Sequence, residues 1–141
     1  MSTRSMVAFD NGDEVVSMRV HFDGYLSGVG HTLLHEYTTI DKVDDLMDCG
    51  YVSSLETKLE YIPHNPNERP VVYSNIEELI AEFKESDAEF LYLFNGYGWE
   101  YMTREMKHFL LLVPSDVARS LKSFFQKEQF LLPNDFNNLI S

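Results

Sequence analysis

The chain has a single cysteine, Cys49, among 141 residues. That excludes an intrachain disulfide and any cysteine-rich metal site, and makes a reducing compartment the simplest setting. Basic residues are scarce: 11 Lys and Arg stand against 23 Asp and Glu, a formal net charge of −12. Such a chain lacks the basic face that nucleic-acid phosphates require, and it is repelled by anionic membrane surfaces. We therefore expect neither direct nucleic-acid binding nor membrane docking. Long apolar runs are missing as well, and a run such as Phe109 to Val113 is far shorter than the roughly 18 residues of a membrane span. Met1 to Ser5 has no signal-peptide apolar region, so a cytoplasmic setting is expected.

What remains is ample material for a core. Hydrophobic residues make up 44% and aromatics 13% of the chain, so composition does not point to disorder. The length fits one globular domain over residues 1–141.

Arg4 to Phe9 reads as a strand, and Asp10-Asn11-Gly12-Asp13 as a tight turn, because Asn-Gly accepts the positive backbone angles of a hairpin. Glu14 to Phe22 is the return strand, with Val16, Met18, Val20 and Phe22 on a core face and Ser17, Arg19 and His21 outside. Gly28 to His31 opens a helix whose stripe is Val29, Leu33, Leu34 and Tyr37. Thr38 or Thr39 caps a second helix that Gly50 ends, with Ile40, Val43, Leu46 and Met47 buried and Asp41, Asp44, Asp45 and Asp48 opposite.

Residues 53–62 fit two readings: a helix started by a Ser53/Glu56 capping box, or a strand over Lys58 to Ile62. Three prolines make 63–70 a loop, and Val71 to Tyr73 a short strand. Asn75 and Glu78 form a second capping box, starting a helix to about Ser86 with Ile76, Leu79, Ile80 and Phe83 inward and Glu78, Glu82 and Glu85 outward. Glu89 continues that spacing just past the helix end. Phe90 to Phe94 reads as a strand covered on both faces, Asn95 to Gly98 as a hairpin turn and Trp99 to Met102 as its return. His108 to Val113 is expected as a further interior strand, and Ser115 as the cap of a helix burying Val117, Leu121, Phe124 and Phe125. Residues 131–141 form a C-terminal tail packing through Phe136 and Leu139. The class is α+β: a single domain whose antiparallel or mixed sheet is built from hairpins and covered by helices.

Thr3-Arg4-Ser5 before the first strand, then His21-x-Asp23-Gly24-Tyr25-x-x-Gly28-Val29-Gly30 and Leu33-Leu34-x-x-Tyr37, resembles a family of small proteins encoded by phages and prophages. The likeness runs through the Asp41 to Gly50 helix and Ser53-Ser54-Leu55, and is looser from Phe90 to Trp99. This chain departs from the family pattern at Phe22, often tryptophan, at Leu26, often proline, and across Tyr61 to Ser74. The resemblance implies phage origin and the host cytoplasm, and brings no activity with it.

Two constellations are candidates for function. The first is the loop from His21 to His31, where glycines before a helix bring backbone N–H groups toward an anion. Arg4, His21, Asp23, Tyr25, Gly28, Gly30 and His31 would hold a phosphate-bearing nucleotide or signalling metabolite there. The loop lacks the third glycine of a dinucleotide fingerprint and the lysine of a P-loop. The plainer alternative is a tight strand-to-helix turn, with Asp23 capping backbone N–H groups and Tyr25 as a lid. His31 and His35 share a helix face, but Thr32 stands where the zincin pattern has glutamate, so no metal site is expected. Cys49 sits where a helix C-terminus raises a thiol pKa, and no nucleophile elbow surrounds Ser5 or Ser27. A small hydrolase using His21 and Asp23 is thus a distant reading, and no cofactor is implied.

The second constellation is acidic: Asp41, Asp44, Asp45 and Asp48 on one helix and Glu78, Glu82 and Glu85 on another, joined by Asp10, Asp13 and Glu14. Each is most simply a solvated face. Together they fit a host protein with a basic surface, with exposed tyrosines and Trp99 as anchors. The leading expectation is a non-enzymatic phage accessory protein that binds and antagonises a host factor, such as a defence protein. The alternative is a small-ligand binder at the 21–31 loop.

Overall fold

A computed structural model describes residues 2–63 and 65–119. The chain is built around a seven-stranded mixed sheet among these residues, an α+β architecture. Strand β1 (Ser5–Asp10) pairs antiparallel with β2 (Val15–Val20) and, on its other side, parallel with β5 (Phe90–Phe94). β5 is followed across a hairpin by β6 (Trp99–Thr103), and β6 by the two-residue β7 (Leu110–Leu111). The free side of β2 is shared: β4 (Val71–Tyr73) pairs antiparallel with its first half and β3 (Tyr51–Val52) parallel with its second.

Helices cover both faces. Alternation along β1 sends Val7 and Phe9 to one side and Met6 and Ala8 to the other. On the first side lie α1 (His31–Glu36) and α2 (Ile40–Met47), burying Leu33, Tyr37, Val43, Leu46 and Met47 against Tyr92 and Trp99. On the second side lies α3 (Ile76–Glu85), which buries Leu79 and Phe83 on Met6, Ala8, Val15 and Leu91. β2 is therefore covered on both faces, not on one: Val15 and Ser17 are buried on the α3 side, although the spacing placed Ser17 outside.

The caps follow the sequence chemistry. The Thr39 hydroxyl accepts from the Lys42 N–H at 3.3 Å, and the Asn75 carbonyl oxygen from the Glu78 N–H at 2.9 Å. The Glu78 carboxylate reaches back to the Ser74 N–H at 3.1 Å, one residue beyond the usual partner in such a box. Gly50 follows α2 with φ of +71°.

Several expectations are corrected. Phe22 is 43% exposed because the strand ends at Val20, and the backbone turns away before alternation returns a side chain to the core. Ile40, at the first position of α2, overhangs the sheet end and is 53% exposed. Residues 53–58 form neither helix nor strand, and Leu59–Tyr61 is a single 3-10 turn. Leu55, Leu59 and Ile62 still pack against the core, so apolar spacing marked burial without a regular element. Among the described residues His108 to Val113 is no interior strand: only Leu110 and Leu111 pair, at the sheet edge, and both are exposed. Residues 114–119 are helical from Pro114, whose missing N–H costs nothing in a first turn, so Ser115 lies inside the helix. Val117 is buried as expected; Leu121, Phe124, Phe125 and the 131–141 tail lie outside the described residues.

Candidate functional site

The loop after β2 is held from within. The Gly24 N–H donates to the Thr3 carbonyl at 2.8 Å, the Gly28 N–H to Tyr25 at 3.0 Å, and the Val29 N–H to Asp23 at 2.8 Å. The Gly30 N–H donates to Tyr25 at 3.4 Å. The donors that would have cradled an anion thus already have acceptors in the chain. The glycines answer to close approach: a Cβ at Gly28 would lie 2.2 Å from the Asp23 carbonyl oxygen, and one at Gly24 2.8 Å from that of Thr3. Asp23 itself takes φ of +60°, and its carboxylate accepts from the Tyr25 hydroxyl at 3.0 Å. Burial first, and then this carboxylate, raise the Tyr25 pKa. Leu26–Gly30 form one π-helical turn running directly into α1.

Tyr92 pins this loop to the sheet. Its ring is fully buried, and its hydroxyl donates to the Gly24 carbonyl at 2.6 Å. Burial pushes its pKa well above the ordinary 10.0, against the opposing effect of a hydrogen bond from the Gly30 backbone. Sequence pattern alone does not assign this role to Tyr92. A lone tyrosine inside an apolar strand is the available signal, since a buried hydroxyl needs a partner.

The sheet divides the residues of the loop hypothesis. Gly24 to Gly30 lie over the α1 side, where Val29 enters the core. His31 and His35 stay exposed on α1 with ring centroids 4.4 Å apart, and partial burial, then the neighbouring imidazole, lower the His31 pKa. Arg4 and His21 instead project on the α3 side, together with Arg19 and Tyr51, which sequence reasoning missed. Arg19 and Tyr51 are direct register partners of β2 and β3, and His21 lies two residues beyond Arg19 on the same face. The register pairing Ser5 with Val20, carried one residue further, sets Arg4 across from His21. Arg4, Arg19, His21, Tyr51 and Asp87 line a cavity of about 230 Å³. Among the described residues no group of three or more His, Cys, Asp or Glu could hold a metal ion.

The acidic residues fall on both sides of the sheet. Asp41, Asp44, Asp45 and Asp48 are exposed on α2, and Glu78, Glu82 and Glu85 on α3. Their outer faces point away from each other, because α2 and α3 cover opposite faces. Both helices begin at the same end of the sheet, where the Asp10 to Glu14 turn lies between them. There Asp44 and Ile40 of α2 line an open groove of about 560 Å³ with Asp10, Gly12 and the Asn95 to Tyr97 turn. On the other side of the Asp10 to Glu14 turn, Asp13 and Glu14 face Ser74 to Glu77 across an adjoining hollow. Tyr97 stands 99% exposed at the hairpin tip. Trp99, expected as a surface anchor, is 3% exposed, and its indole N–H donates to the Tyr37 carbonyl at 2.8 Å. A tryptophan right after a polar turn faces inward here, and the tyrosine inside the turn faces water.

Cys49 is half-buried against the α2 side of the core, and burial, then the Asp48 carboxylate, raise its thiol pKa, so it is a poor nucleophile. No helix among the described residues is long and apolar enough to cross a membrane. Comparison of the chain with protein-family models, with curated proteins and with solved structures finds no match.

Proposed function

We propose that this chain is a phage accessory protein that acts by binding rather than catalysis, engaging a basic surface of a host protein in the host cytoplasm and antagonising it. The observation that supports this reading is the acidic sheet end. Asp10 and Asp44 flank exposed Ile40 and Tyr97 in one groove, and Asp13, Glu14 and Glu77 line the adjoining hollow across the Asp10 to Glu14 turn, with Lys42 the basic exception on the first turn of α2. Charges at a rim steer a basic partner and set its orientation, and an exposed tyrosine supplies rigid contact area at low entropic cost. The phage setting rests on the sequence resemblance at Thr3 to Ser5 and His21 to Tyr37.

Affinity purification from host lysate at low and high salt tests the reading. The immobilised wild-type chain is expected to retain a basic protein at low salt and release it at high salt. Tyr97→Ala and the combined reversal of Asp10, Asp13, Asp44 and Glu77 to lysine are each expected to lose it. Replacing Glu82 and Glu85 by glutamine, further along α3 from that sheet end, is expected to keep it. Retention of the same protein by the reversed variant would sink the proposal.

A further inference from the structure

In a chain with more than twice as many acids as bases, two arginines, a histidine and a tyrosine converge on one partly enclosed cavity. It lies on the α3 side of the sheet, beyond the C-terminal end of α3, floored by the β1 and β2 backbones at Ser5 and Val20. Arg19 and Tyr51 stand on adjacent strands, and His21, one residue past β2, keeps the period-two spacing with its N–H donating to the Val52 carbonyl at 3.0 Å, so backbone pairing fixes their common direction. His21 Nδ1 and the Tyr51 hydroxyl share a hydrogen bond at 2.8 Å, and His21 Nε2 lies 3.4 Å from the Ser2 hydroxyl. Both ring nitrogens are therefore engaged, and His21 acts to hold the Tyr51 hydroxyl at the cavity wall.

We propose that this cavity binds a phosphate dianion, free or as the end of a small phosphomonoester, between the guanidinium groups of Arg4 and Arg19 and the hydroxyl of Tyr51. Planar guanidinium forks match the oxygens of a phosphate, and two of them balance its charge. A volume of about 230 Å³ holds a phosphate and little of what it is attached to. Carboxylates now stand in for the anion: Asp87 is paired with Arg4, and Glu82 lies 3.6 Å from Arg19. All four side chains are 42–58% exposed, so these pairs hold the fold only weakly and exchange readily for a dianion bridging both arginines. The site shares no lining residue with the acidic sheet end and stands or falls apart from the function proposed above.

The test is calorimetric titration and phosphorus NMR of the full chain with inorganic phosphate and with a nucleoside 5′-monophosphate, at constant ionic strength. Saturable binding at millimolar phosphate or tighter is expected. Arg4→Gln and Arg19→Gln are each expected to weaken it by on the order of tenfold, as loss of one charge-assisted contact does. Tyr51→Phe is expected to weaken it less. Asp87→Asn is expected to tighten it by removing the competing carboxylate, whereas Asp41→Asn, on the other side of the sheet, is expected to change nothing. Equal affinity for the two ligands would assign free phosphate, and tighter binding of the nucleotide a phosphomonoester. The exposed substitutions leave the core untouched, and circular dichroism verifies that each variant is folded. Absence of saturable binding in both the wild type and Asp87→Asn would overturn the proposal, as would an equal loss on Arg119→Gln.

Discussion

The most consequential single residue is Tyr92, whose hydroxyl joins strand β5 to the glycine loop. Tyr92→Phe keeps the ring and strips the Gly24 carbonyl of its donor. We expect a loss of about 1–3 kcal/mol in urea unfolding, the cost of an unsatisfied buried group. The same residue sets an alkaline limit. Tyr92 and Tyr37 both ionise at higher pH in the folded chain than their ordinary 10.0, Tyr37 at about 12, through burial first and then, for Tyr37, anionic neighbours at Cys49, Glu36 and Glu56. A raised folded pKa means that their stabilisation is complete below about pH 10 and is lost as pH rises through the folded value. Melting temperature should therefore fall steadily above pH 10. Tyr92→Phe, lower at neutral pH, should fall less steeply there, and a parallel decline would contradict the assignment.

At the scale of elements, local chemistry was readable and long-range pairing was not. Asn11-Gly12 announced the first hairpin, and Thr39 and Asn75 announced two helix starts, because caps and turns depend on neighbours within four residues. Asn75→Ala is expected to cost about 1 kcal/mol and Thr39→Ala less, since its hydrogen bond is longer, 3.3 against 2.9 Å. Chemical denaturation of the two variants checks that order. What local pattern could not supply was which strand lies beside which. Arg4 and His21 were visible as candidates, but Arg19 and Tyr51 join them only through the parallel pairing of β2 with β3. Likewise the apolar run from His108 reads as interior because nothing in it reveals that, among the described residues, it lies last in the strand order. Among the described residues β7 has its own liability: it leaves Leu110 and Leu111 exposed on an edge strand, a template for pairing with another chain. Leu111→Lys should leave the melting temperature nearly unchanged and reduce light scattering at high concentration.

For the whole molecule, the charge of −12 acts in two opposite directions. Self-repulsion disfavours the compact state, and the ion pairs described, Arg4 with Asp87, Arg19 with Glu82 and Arg119 with Asp116, lie near the surface and offset little of it. Adding salt should thus raise the melting temperature while weakening retention of a basic partner, on the order of tenfold as the Debye length shrinks toward 3 Å at 1 M. Both curves come from one protein preparation. A melting temperature that falls with salt would mean that attraction, not repulsion, dominates the folded surface.

The central place of β1 also bears on how the chain is made. Its hairpin partner β2 leaves the ribosome straight after it, but the parallel neighbour on its other side is β5, Phe90–Phe94, far down the message. At usual rates of synthesis the open flank of Ser5–Asp10 waits on the order of ten seconds for that strand. During that interval Met6, Val7, Ala8 and Phe9 offer an apolar strand edge to any nascent chain or chaperone close by. Yield in the cell is thus governed by the timing of translation as much as by the strength of the finished core, and slow codons between the two strands would lengthen the exposure.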